Sequence, residues 1–295
     1  MRKKLKTSDI VINAFMIIIC LACLIPFLLV IVSSLTDEQV LLSNGYSFWP
    51  EKWSAFAYKY ILIGSSGMQI IHGYLISIVV TVCGTLLSLA VTTLFAYPLS
   101  RKDLPLRKLF TFILFFSMLF NGGLVPTYMM WTQVLKIKNT IWALLLPNLL
   151  MNAFYVIMMR TYFATSIPFE LIEAAKIDGA SELRILLKII LPLSKPMMAT
   201  LGFMTALGYW NDWLNGLYYV SDNNLFSIQN ILNRMLLNIQ YLTSSDASAL
   251  ASTVQLPATG IRMAVAVVGL LPILIIYPFF QKYLVKGIMI GGVKG

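Results

Sequence analysis

Residues 168–196 read PFELIEAAKIDGASELRILLKIILPLSKP, the longest polar interruption between apolar runs that still has helical character. One glycine, Gly179, lies near its centre, and two prolines, Pro192 and Pro196, lie towards its end. Proline is tolerated in a first helical turn, and glycine readily takes a positive φ at a helix end. The stretch therefore predicts two short surface helices, one beginning near Pro168 and one ending before Pro192, with a turn at Gly179.

Capping residues support the same two helices. Ser166 or Thr165 can cap the first helix, and Ser181 can cap the second. Glu182 then lies in the first turn of the second helix, where a carboxylate meets the positive end of the helix dipole.

The composition of the 295 residues places the chain in a membrane. Hydrophobic residues make up 59% and charged residues 12%, whereas an ordinary soluble domain has about 25% charged residues. The three cysteines lie inside apolar runs, which argues against a disulfide framework. Cys20 and Cys23 have the spacing of half a zinc site but lack a second ligand pair, so we expect no metal.

Six apolar stretches are long enough to cross a membrane, which takes about 20 residues. The expected fold is therefore an all-α, polytopic membrane protein with a single transmembrane domain over residues 1–295. The predicted spans are residues 10–33, 74–99, 109–131, 141–160, 197–220 and 262–280.

The basic residues predict the orientation, because Lys and Arg stay on the cytoplasmic side. With both termini inside, only six of the 22 Lys and Arg residues fall outside: Lys52, Lys59, Lys136, Lys138, Arg234 and Arg262. We interpret the first span as uncleaved, since removing it at Cys23 would leave five spans and disturb this pattern. The same distribution accounts for the net charge of +10 without nucleic acid, because these residues face anionic lipid.

Polar and aromatic side chains cluster near the end of the fifth span. Aromatic faces stack on sugars, while amides and a carboxylate bond to hydroxyl groups, so a solute path is one interpretation. The alternative is that these residues anchor the helix at the outer interface and pack against a partner subunit. The candidates are Tyr209, Trp210, Asn211, Asp212, Trp213 and Asn215.

The pattern Glu173-Ala174-Ala175, Gly179 and Ile189-x-Leu191-Pro192 resembles the EAA loop of ABC importer permeases, and residues 168–196 are called the EAA segment below. The resemblance covers nearly the whole chain and is strongest to the branch for complex oligosaccharides. One departure is Leu186–Leu187, where many relatives carry a phenylalanine. The resemblance implies contact with an ATPase through Glu173, Ala174, Ala175, Asp178, Gly179, Ala180, Ile189, Leu191 and Pro192.

The resemblance also implies a mechanism and partners. The chain would be a permease of a bacterial cell membrane that moves a sugar by alternating access. Its partners would be a second, different permease, a cytoplasmic ATPase dimer that holds ATP and Mg, and an external solute-binding protein. The chain itself would bind no cofactor and catalyse no reaction, since it lacks a phosphate-binding loop. The tail residues Gly291, Gly292, Lys294 and Gly295 would approach the ATPase.

Three alternative functions are compatible with a membrane protein of this kind. An ion-coupled secondary transporter would need intramembrane carboxylates or an inverted repeat, and only Asp212 lies within a predicted span. A permease for a non-sugar solute fits the same EAA segment. A membrane enzyme is disfavoured by the single histidine, His72, and by the lack of a Ser/His pair within the spans.

Overall fold

The computed structural model describes residues 7–63, 67–242 and 258–292, and helices dominate these ranges. The α-helices are α1 (Thr7–Ser34), α2 (Glu38–Asn44), α3 (Phe56–Ile63), α4 (Gly67–Ser100), α5 (Arg107–Leu119), α6 (Leu124–Met129), α7 (Trp142–Leu145), α8 (Ala153–Ser166), α9 (Phe169–Ile177), α10 (Glu182–Ile185), α11 (Leu191–Leu193), α12 (Lys195–Trp210), α13 (Leu214–Tyr219), α14 (Ile228–Leu242) and α15 (Ala258–Gly292). Two π-helical turns, Met130–Val134 and Leu186–Ile190, and a 3-10 turn, Asn223–Leu225, complete the order.

Three single helices in the described chain are long and apolar enough to cross a membrane: Val11–Ser34, Gly67–Ser100 and Thr259–Gln281. They correspond to the first, second and sixth predicted spans. Two bent pairs raise the number to as many as five. They are Arg107–Leu119 with Leu124–Val134, bent by 113°, and Glu182–Leu193 with Lys195–Trp210, bent by 83°. The all-α class is confirmed, whereas the count of six is not reproduced exactly.

Local sequence explains where the predicted spans break. The third span, predicted as one helix over 109–131, is interrupted at Gly123, whose φ of +84° is open to glycine but strained for other residues. The fourth, predicted over 141–160, is helical only at its ends. Pro147 and Asn148, which has a φ of +61°, interrupt it before α8 begins. The fifth, predicted over 197–220, ends as α12 at Trp210 and resumes as α13.

Two compact units make up the chain, and the first comprises residues 1–71 and 232–271. Asp37 caps α2 by accepting from the backbone N–H of Gln39 at 3.2 Å, and it pairs with the Lys52 ammonium at 3.0 Å. The Glu38 carboxylate accepts from the backbone N–H groups of Thr259 and Gly260 at 2.9 and 2.8 Å, which satisfies donors at the start of α15.

Along α1, which belongs to this first unit, nearly all described side chains are exposed and apolar, as expected of a surface that lipid or another subunit covers.

The second unit comprises residues 72–231 and 272–295. Its core joins the C-terminal part of α4 to α8, the EAA segment and α12 through buried apolar side chains. They are Ala96, Leu99, Val156, Met159, Phe163, Ile172, Ile185, Ile190 and Leu201. The carbonyl of Leu99 accepts from the guanidinium groups of Arg107 at 3.0 Å and Arg160 at 3.2 Å, so the end of α4 is fixed by two cations. The prediction of one domain over residues 1–295 is not decided by the division into units.

Candidate functional site

The first helix of the EAA segment, α9, begins after Pro168, which makes no side-chain cap hydrogen bond. The predicted cap by Ser166 or Thr165 is therefore wrong, because α8 continues through Ser166 and the Thr165 hydroxyl donates back to the carbonyl of Thr161. Ile172 and Ala175 are buried, and they pack one face of α9 against the core. The opposite face, with Glu173 and Ala174, is exposed.

Gly179 forms the predicted turn with a φ of +77°. The backbone N–H of Ala180 donates to the carbonyl of Ala175 at 2.9 Å, and that of Gly179 donates to the carbonyl of Lys176 at 3.0 Å. This pair of bonds is a Schellman motif, which requires a left-handed residue after the helix. A Cβ at Gly179 would meet nothing within 4 Å, so backbone conformation alone requires the glycine here.

The second helix begins at the predicted cap, because the Ser181 hydroxyl accepts from the backbone N–H of Arg184 at 3.4 Å. It does not end before Pro192, as the sequence predicted, but continues as helix to Leu193 and breaks at Ser194. A π-helical turn precedes the proline, with the Leu191 N–H bonded to the carbonyl of Leu186. The wider π-helical turn accommodates the proline inside the continuing helix, where its ring would otherwise clash with the preceding turn.

The predicted coupling residues divide between two faces of the EAA segment. Glu173, Ala174, Asp178, Gly179 and Pro192 are exposed, Ala180, Ile189 and Leu191 are half-buried, and Ala175 is buried.

Beside the exposed residues lie three apolar side chains, of which only Leu187, in the Leu186–Leu187 departure from the family pattern, was connected with ATPase packing by the sequence. Ile177 is 87% exposed, Leu183 59% and Leu187 52%. Ile177 and Leu183 each lie between two charged residues, so neither belongs to an apolar run in the sequence. An isolated apolar side chain beside a predicted turn is a signal that could have identified them. Together they give the EAA segment an apolar outer surface.

A charge cluster that the sequence did not reveal joins the EAA segment to the end of α4. The Glu182 carboxylate accepts from the Tyr97 hydroxyl at 2.5 Å and from the Lys176 ammonium at 2.7 Å. Arg101 donates to both carboxylate oxygens of Asp103, at 3.2 and 3.3 Å. These hydrogen bonds hold the pKa of the Asp103 carboxyl below its ordinary value. Tyr97 and Arg101 belong to the end of α4 and the residue after it.

The six candidate solute-path residues have different surroundings. Tyr209, Trp210 and Asn215 are buried. The Tyr209 hydroxyl donates to the carbonyl of Leu145 at 2.8 Å, and the Asn215 amide donates to the carbonyl of Pro147 at 3.0 Å. Both bonds satisfy carbonyls where the fourth predicted span is broken. These two side chains therefore stabilise an irregular backbone.

The remaining candidates lie at a turn. Asn211 and Trp213 are exposed and Asp212 is half-buried. The Asp212 carboxylate, one residue before the N-cap of α13, accepts from the backbone N–H of Asn215 at 3.2 Å. The role of these three residues in a solute path stays a prediction. Of the tail residues, Gly291 and Gly292 end α15, whereas Lys294 and Gly295 lie outside the described residues.

The chain matches, over residues 5–290, the family described as the binding-protein-dependent transport system inner membrane component. It is 38% identical over 292 residues to the polygalacturonan/rhamnogalacturonan transport system permease protein YtcP of Bacillus subtilis (strain 168), covering 99% of this chain and 100% of that protein. It is also 38% identical over 272 residues to protein LplC of the same organism, covering 92% and 90%.

A solved structure shares the fold. It is a crystal structure of a bacterial ABC transporter involved in the import of the acidic polysaccharide alginate. The TM-score is 0.79 at 28% sequence identity, and the match covers 96% of this chain and 99% of that one.

Proposed function

Since the chain belongs to the family of inner membrane components of binding-protein-dependent transport systems, and is thus a non-catalytic permease subunit of an ABC importer, we propose that it carries an oligosaccharide into a bacterial cell. The observation that supports the substrate class is the full-length match to a permease whose name gives polygalacturonan/rhamnogalacturonan transport. The importer whose structure is similar takes up another acidic polysaccharide.

The EAA segment is proposed as the surface that docks on the ATPase. Two rigid helices at a glycine turn present Glu173 and Ala174 beside the apolar side chains of Ile177, Leu183 and Leu187. Removing such side chains from water favours association by roughly 25 cal/mol per Å². ATP and Mg would be bound by the ATPase dimer. The tail residues from Gly291 onwards are proposed as a second approach to it.

The orientation follows from this docking. An ATPase acts in the cytoplasm, so the EAA segment and both chain termini are placed there, in agreement with the excess of Lys and Arg in the corresponding segments. The outer side would then receive a solute-binding protein.

A second, different permease is the proposed partner in the membrane, because an ATPase dimer offers two docking sites. The exposed apolar side chains of α1 and α5 are available to lipid or to that partner.

The solute path is proposed to include Asn211, Asp212 and Trp213, at the turn between α12 and α13. An exposed indole can stack on a sugar ring, and an amide with a carboxylate can bond to hydroxyl groups. Tyr209 and Trp210, which are buried at the end of α12, would hold this turn in place.

The test is purification of the tagged chain with its neighbours, followed by a thermal-shift screen of the binding protein with oligosaccharides. We expect an ATPase and a second permease in the complex, and stabilisation of the binding protein by uronic-acid or neutral oligosaccharides. A binding protein stabilised only by amino acids or peptides would contradict the substrate class. Copurification without any ATPase would contradict the permease assignment.

Side-chain roles in the path are tested separately. Trp213→Ala and Asp212→Ala should lower uptake while leaving the basal ATPase activity of the complex intact. Trp142→Ala, which removes another exposed indole from the same unit, is the matched control. Uptake at the wild-type level in both path variants would remove these residues from the path.

A further inference from the structure

We propose that Tyr97, Lys176 and Glu182 form a latch that transmits movement of the EAA segment to the long helix α4. This inference rests on the proposed function of the EAA segment as the ATPase-docking surface. It adds three residues that connect that surface to α4.

The carboxylate of Glu182 is the centre of the latch. It is the first residue of α10, and one of its oxygens accepts from the Tyr97 hydroxyl at 2.5 Å. Its other oxygen pairs with the Lys176 ammonium at 2.7 Å, across the turn at Gly179. One side chain therefore joins both helices of the EAA segment to α4. Hydrogen bonds to an ionised carboxylate are among the stronger ones in proteins.

Neighbouring side chains extend the connection to the start of the EAA segment. The Lys176 ammonium also lies 3.8 Å from the Asp103 carboxylate, which Arg101 holds from the end of α4. The Arg101 guanidinium carbon is 5.3 Å from the ring centroid of Phe169, the first residue of α9, in a cation–π contact. The end of α4 is thus tied to three points of the EAA segment.

Close packing joins the same elements, since the end of α4 and the EAA segment share one buried apolar core. An open cavity of about 390 Å³ adjoins that core and is lined by Tyr97, Arg101 and Glu182 among others. The polar bonds of Glu182 therefore add a directional connection at the edge of this cavity, beside the packed core.

The test uses the full transporter, with ATPase, partner permease and binding protein, in proteoliposomes. The variants are Tyr97→Phe, which removes one hydroxyl and keeps the packing, and Glu182→Gln, which keeps an acceptor and removes the charge. The matched control is Tyr162→Phe, because that hydroxyl donates to the carbonyl of Leu193, outside the latch, at 3.3 Å. The measured quantity is ATP hydrolysed per solute imported.

We expect Tyr97→Phe and Glu182→Gln to assemble with the ATPase as the wild type does and to raise ATP hydrolysed per solute by about fivefold or more, the low end of typical coupling factors between sites. Tyr97→Phe removes the bond to α4 and Glu182→Gln removes the ion pair with Lys176, so the double variant should show a less than additive effect if both bonds serve one connection. The control should match the wild type.

Two results would overturn the latch. One is a wild-type ratio in both variants. The other is loss of assembly with the ATPase in both, which would make the cluster purely structural. Failure of the proposed docking function is distinguishable from these, since the wild-type chain itself would then lack an ATPase.

Discussion

Replacing Gly179 separates backbone strain from contact with the ATPase. The residue has a φ of +77°, and a side chain there would meet nothing within 4 Å in the chain itself. An L-residue pays about 1–2 kcal/mol in this left-handed conformation, which is a factor of about 5–30 in an equilibrium. Gly179→Ala therefore measures strain alone. Gly179→Leu adds bulk on the proposed docking face, and Gly179→Asn is the control, because asparagine tolerates positive φ.

The assay has three readouts for each variant: the amount of chain in the membrane, ATPase recovered with it, and oligosaccharide uptake by vesicles. We expect membrane levels to stay unchanged, because the core residues of the EAA segment are untouched. ATPase recovery should fall in the order Asn, Ala, Leu, and uptake should fall with it. Normal uptake by Gly179→Leu would refute both the strain and the docking argument. Equal losses in the Ala and Leu variants would refute close approach of the ATPase.

Three further predictions test separate features. Leu183→Asp should reduce ATPase recovery about tenfold or more without lowering membrane levels, because a charge replaces an apolar side chain on the docking surface; recovery at the wild-type level would contradict that surface. Tyr209→Phe should lower stability in detergent by about 1 kcal/mol, because the carbonyl of Leu145 loses its donor; the thermal unfolding midpoint should fall, while the exposed control Tyr218→Phe should not change it. Asp103→Asn should alter ATP use per solute equally at about pH 6 and at about pH 8. The pKa of Asp103 is lowered, so its carboxylate is ionised at both pH values and loses its charge only in stronger acid. An effect that vanishes as the pH falls from about 8 to about 6 would contradict this.

The EAA segment could be predicted in detail because its signals are local. A glycine after a helix and a serine before the next one each act within four residues of themselves, whereas the helix end predicted before Pro192 was wrong because a π-helical turn admits the proline. The structure accordingly has the turn at Gly179 and the cap at Ser181 where the sequence predicted them. The predicted cap of α9 was wrong because Ser166 is still part of α8, and the length of that helix is not set by its local sequence alone.

Partners far along the chain could not be predicted. Tyr209 bonds to a carbonyl 64 residues away, and Asn215 to one 68 residues away. A tyrosine and an asparagine suit a sugar-binding site as well as a structural role, and only their tertiary contacts distinguish the two roles. The break in the fourth span had a local signal at Pro147 and Asn148, but the apolar run around it satisfied the length criterion for a span.

The latch follows the same rule, and it explains why the sequence motif alone describes only half of the coupling. Tyr97 and Glu182 are separated by 85 residues, so neither can mark the other in a sequence. Residues of the motif, such as Glu173 and Gly179, lie on the exposed face of the EAA segment. A displacement received there is useful only if it reaches a membrane-spanning helix, and Glu182 provides a bonded route to α4. The proposed coupling site therefore includes the latch residues as well as the exposed residues of the motif.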